Sequence, residues 1–76
     1  MIATHNIESV KFEGNNILIK IDGKEMIFDL NIISTKLKNA NELEKEMFKI
    51  SPSGYGIHWH LINEDISVAA LLNNRD

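Results

Sequence analysis

Apolar and polar residues alternate through the first part of the chain, and that rhythm then gives way to helical spacing. In Ile7 to Phe12, Val10 and Phe12 fall on one side and Lys11 on the other, which predicts a strand. Glu13-Gly14-Asn15-Asn16 has turn composition, and Ile17-Leu18-Ile19-Lys20-Ile21 reads as a second strand. Asp22-Gly23 is a strong hairpin signal, because a two-residue turn needs backbone with positive φ. Lys24 to Asp29 is then a third strand, with Met26 and Phe28 on its apolar side.

The two turns can be tested against each other. A two-residue turn at Asp22-Gly23 sets Ile21 opposite Lys24, Ile19 opposite Met26 and Ile17 opposite Phe28. A four-residue loop from Glu13 to Asn16 sets Phe12 opposite Ile17 and Val10 opposite Ile19. Both place the same side chains in common rows on one face. A one-residue slip would turn them all to solvent, so a three-stranded antiparallel meander is expected.

Leu30, Ile33 and Leu37 follow at helical spacing and predict one or two turns covering the sheet. Asn41 is placed to cap a short helix over Glu42 to Glu46, whose early acids suit a helix N-terminus. Phe48-Lys49-Ile50 is a fourth strand candidate, and Pro52, Gly54 and Gly56 break the chain after it. In the fifth strand, Ile57, Trp59 and Leu61 form the expected core side, with His58, His60 and Ile62 opposite. Asn63-Glu64-Asp65 reads as an acidic turn and Ile66 to Leu72 as a helix capped by Asp65. The expected fold is α+β, in one domain over residues 1–76. It comprises a three-stranded antiparallel meander, a short helical crossover, two further strands and a C-terminal helix.

Composition narrows the chemistry. A chain of 76 residues makes a small core, burying about 60 % of its unfolded surface. The absence of cysteine excludes disulfides and thiolate zinc sites. A formal net charge of −3 argues against a general grip on nucleic acid. The longest apolar runs fall well short of the about 20 residues a bilayer requires, and Met1 to His5 has no leader character. No membrane association is expected, and the cytoplasm is the expected compartment.

Four residues stand out as candidates for binding. Tyr55, between two glycines in a turn, suits an exposed aromatic anchor. His58 and His60 at alternate strand positions could face one metal ion with Glu64 or Asp65 adding an oxygen. Two imidazoles with no third histidine nearby make a weak ligand set, so the expectation is no metal and no cofactor. Gly54-Tyr55-Gly56 lacks the longer glycine spacing, the lysine and the following helix of a phosphate loop. Ser51, Ser53 and Ser67 read as turn or capping residues, and no nucleophile can be placed beside a base, so no enzymatic activity is expected.

The run from Phe48 to Trp59, then Glu64-Asp65-Ile66-Ser67-Val68 and Leu71-Leu72, resembles the C-terminal signature of a family of small bacterial proteins, the domain-of-unknown-function 2442 family. The Phe28-Asp29-Leu30 step from strand to helix is also similar. The resemblance covers nearly the whole chain and implies a compact α+β domain with no established activity. It also implies a toxin–antitoxin-like context beside another small protein. The chain departs from the family pattern at His60, where proline is usual, and at Asn63, where an acid is usual. The combined expectation is a protein-binding module using Tyr55, His58, His60 and Glu64, with self-association as a further option. The alternative is a small metal-dependent enzyme or metal-binding protein using His58 and His60.

Overall fold

The computed structural model describes residues 5–52 and 54–73. The leader reading at residues 1–4 and the turn role of Ser53 lie outside them. The first sheet is an antiparallel meander of β1 (Ile7–Glu13), β2 (Asn16–Ile21) and β3 (Lys24–Asp29). Its register is the expected one: Val10, Ile19 and Met26 share a row, as do Phe12, Ile17 and Phe28. At the β2–β3 turn, Asp22 and Gly23 have φ of 51° and 84°, the doubly left-handed backbone of a tight hairpin.

Two details were not foreseen. Strands β1 and β2 extend to Glu13 and Asn16, so their connection is Gly14-Asn15 rather than a four-residue loop. The register also shifts between Ile7 and Ser9. This bulge lets Ile7 share the core with Ile21 although it is an odd number of positions from Val10.

Three short helices follow: α1 (Leu30–Ile33), α2 (Thr35–Lys38) and α3 (Glu42–Glu46). Asp29 caps the first, Ser34 the second and Asn41 the third, where Glu44 completes a capping box. Leu30 and Leu37 are buried over the meander.

The second sheet, β4 (Phe48–Ile50), β5 (Gly56–Trp59) and β6 (Glu64–Ser67), precedes helix α4 (Val68–Asn73). Residues 64–67 are a strand, not a turn and the start of a helix, and Asp65 sits inside it rather than capping α4. The helix is held instead by Ser67, whose Oγ accepts a hydrogen bond from the Ala70 N–H. The hairpin turns through residues 60–63 with Asn63 at φ 51°, a conformation asparagine tolerates. Strand β5 therefore ends at Trp59. Leu61 is exposed in the turn rather than buried, and Ile62 packs against the core.

Directly paired residues share a sheet face. In the second sheet the inner rows are Phe48–Trp59–Glu64 and Ile50–Ile57–Ile66, while the outer rows are Lys49–His58–Asp65 and Gly56–Ser67. One apolar cluster unites the inner faces of both sheets with Leu30, Leu37, Val68 and Leu71. Trp59 lies at its centre, fully buried. Its ring meets Phe12 edge-on at 6.3 Å and Phe48 at 5.8 Å, and its Nε1–H donates to the Lys45 carbonyl at 3.0 Å. The buried indole thus keeps its polar atom satisfied.

Candidate functional site

An open groove of about 520 Å³ crosses the outer face of the second sheet. Its origin is the side-chain-poor Gly56–Ser67 row. On one side of that row stands Lys49–His58–Asp65; on the other rises the loop carrying Pro52 and Tyr55. Tyr55 is 64 % exposed, as its position between glycines suggested.

The loop is held from several directions. Ser51 Oγ accepts the N–H groups of Tyr55 and Gly56 at 3.0 and 3.3 Å. Gly54 N–H donates to the Ser51 carbonyl at 2.8 Å, and the Tyr55 carbonyl accepts Val68 N–H at 2.8 Å. Gly54 has φ 71°, and a β carbon there would fall 1.7 Å from the His5 carbonyl oxygen. The stretch before β1 therefore packs backbone to backbone against the groove wall. That stretch is tied in turn to the β2–β3 hairpin. His5 Nδ1 lies 2.9 Å from Asp22 Oδ2, Asn6 N–H donates to Asp22 Oδ1 at 2.8 Å, and Asp22 N–H returns a bond to the Asn6 carbonyl at 2.9 Å. The Asn6 N–H, and after it the His5 ring, hold the Asp22 carboxyl below the ordinary aspartate pKa.

The four sequence candidates do not form one site. Tyr55 and His58 both line the groove. His60 is exposed in the turn beyond β5. Glu64 lies on the inner face of the sheet, where the Ser34 hydroxyl donates to its Oε2, so it stands on the opposite side from His58. The partner of His58 is Asp65 instead, at 2.6 Å from Nδ1 to Oδ1. The sequence offers Asp65 both as a helix cap and as an oxygen ligand beside the histidines, but not as the cross-strand neighbour of His58; the signal for that pairing is Asn63, a residue suited to turning one strand back upon another. Among the described residues, no three His, Asp or Glu side chains gather to hold a metal ion.

The arrangement defines a class: a small α+β protein of two three-stranded antiparallel sheets joined by short helices, with an open groove outside the second sheet. A family model described as protein of unknown function (DUF2442) matches residues 7–76, and the chain belongs to that family. A crystal structure of a protein of unknown function from Rhodospirillum rubrum has a similar fold. It matches with a TM-score of 0.71 at 18% identity, over 91% of this chain and 86% of that one. Nothing among the curated proteins matches the chain.

Proposed function

We propose that this chain is a protein-binding module of the bacterial cytoplasm, in an antitoxin-like role toward a small protein encoded beside it. The observation that carries the reading is Tyr55: a large amphipathic ring standing in solvent at the rim of an open groove, on a loop held from several sides. Partially apolar grooves with exposed aromatics are favoured recognition surfaces, and a wall already held in place lowers the ordering cost of binding. The context of a neighbouring small protein comes from the family resemblance.

The test is purification of the tagged chain from its native host, as wild type and as Tyr55→Ser. A specific protein recovered with the wild type and depleted with the variant is expected. Recovery of the wild-type chain alone would overturn the reading.

A further inference from the structure

We infer that the outer edge of β1 takes an extended segment of a partner protein as an added strand, with an acidic residue of that segment opposite Lys11. This surface belongs to the first sheet and is separate from the Tyr55 groove. The inference does not depend on the reading given for that groove.

β1 and β3 are the edge strands of the first sheet, β4 and β6 those of the second, and β1 is the longest of the four. The two-residue turn Gly14-Asn15 makes Glu13 and Asn16 its hydrogen-bonded closing pair. Antiparallel pairs alternate, so Lys11 turns its N–H and C=O toward β2, while Val10 and Phe12 turn theirs to the open edge. Among the described residues no strand, turn or loop backbone meets the Val10 and Phe12 groups. Another extended backbone matches such a ladder of donors and acceptors. A second groove, of about 500 Å³, runs beside this edge. Val10 and Phe12 form one wall, Glu42, Lys45 and Glu46 of α3 the other, and Phe48 lies with them. No residue of β2 lines it, so the space lies off the edge of the sheet and not over its face.

The side chains of the segment follow from the pairing, because residues directly opposite share a face. Those across from Val10 and Phe12 point inward, toward Phe12, Phe48 and Lys45, whose Nζ lies 5.4 Å from the Phe12 ring centre. Apolar residues suit these positions. The residue across from Lys11 points to the outer face, away from the acids of α3. Lys11 is exposed, shares its row with Leu18 and Ile27, and has no ion pair among the described residues. Its place on the added pair is the non-hydrogen-bonded one, where side chains come closest. An acid is favoured there and a base disfavoured.

A second copy of this chain matches the edge less well. Antiparallel self-pairing centred on Lys11 sets that lysine against itself. Centred on Phe12, it sets Val10 against Gly14, which has turn backbone at φ 59°. Centred on Val10, it sets Phe12 against Glu8, at the bulge between Ile7 and Ser9.

Three short blocked peptides are the probes. One alternates valine and threonine around a central glutamate flanked by valines. The second has lysine in place of the glutamate. The third is the glutamate peptide N-methylated at the two valines beside the glutamate, which removes the donors that would face β1. Backbone amide NMR shifts and hydrogen exchange are followed in the wild type, Lys11→Glu and Tyr55→Ser. The glutamate peptide is expected to shift the Val10 and Phe12 amides saturably and to slow their exchange. It should bind the wild type about fivefold more tightly than the lysine peptide, with the order reversed in Lys11→Glu and unchanged in Tyr55→Ser. The methylated peptide should not bind. Equal binding of the methylated peptide, a preference unchanged by Lys11→Glu, shifts at the β3 edge or the Tyr55 loop instead, or no saturable shift would overturn the inference. So would a peptide-free chain that sediments as a dimer with its Val10 and Phe12 amides protected, which would assign the edge to a second copy.

Discussion

Replacing Gly54 with alanine should disturb the groove wall more than any other single methyl group added at a glycine. Two costs combine there. The residue has φ 71°, and left-handed backbone costs a non-glycine residue about 1–2 kcal/mol. The new β carbon would also lie 1.7 Å from the His5 carbonyl oxygen. Something must shift, and overpacking of this kind costs about 1–3 kcal/mol. The expected loss is therefore about 2–5 kcal/mol, a large share of the stability of so small a protein. Gly14 supplies the control: its φ is 59°, but a β carbon there meets nothing within 4 Å. Gly14→Ala should carry only the backbone cost, about 1–2 kcal/mol. Urea unfolding followed by the fluorescence of Trp59, the sole tryptophan, gives both values at a common m. Equal midpoints for the two variants would refute the close approach of the His5 and Gly54 backbones.

Ser34→Ala removes both the cap of α2 and the donor to Glu64; it should cost about 1–3 kcal/mol, read as a lower urea midpoint. Asn41→Ala breaks the capping box of α3 and should cost about 1 kcal/mol by the same measurement. Asp22→Asn tests linkage. Because the folded pKa of Asp22 is depressed, its contribution is complete above the unfolded value and lost as pH falls through the lower folded value. Thermal melts of the variant should therefore show a shallower acid limb than the wild type below the ordinary aspartate range, and parallel slopes above it.

The meander was legible because three constraints agreed: Asp22-Gly23 dictates a turn, the apolar residues alternate on both sides, and the two registers bring the same rows together. The bulge near Glu8 left no comparable mark, since it changes the side of Ile7 without changing the apolar content of β1. The second sheet was harder. Ile66 to Leu72 is apolar enough for a helix, and an aspartate before it looks like a cap, so propensity alone placed the helix two residues early. Pairing of Ile66 with Ile57, and of Asp65 with His58, decides otherwise. That tertiary pairing also explains how the candidate residues are distributed over the two faces. Tyr55 and His58 depend on local turn and strand geometry, which sequence reveals. The separation of Glu64 from His58 depends on which face each residue takes in a hairpin that was not expected.

The central functional claim is that partners meet the outer face of the second sheet. Photo-crosslinking in the native host tests it most directly, with a benzophenone side chain placed at Tyr55 or at Ile27. Ile27 is also 64% exposed but lies on the outer face of the first sheet. A discrete protein adduct from position 55, absent from position 27, is the predicted result. An adduct from position 27 alone would contradict the account.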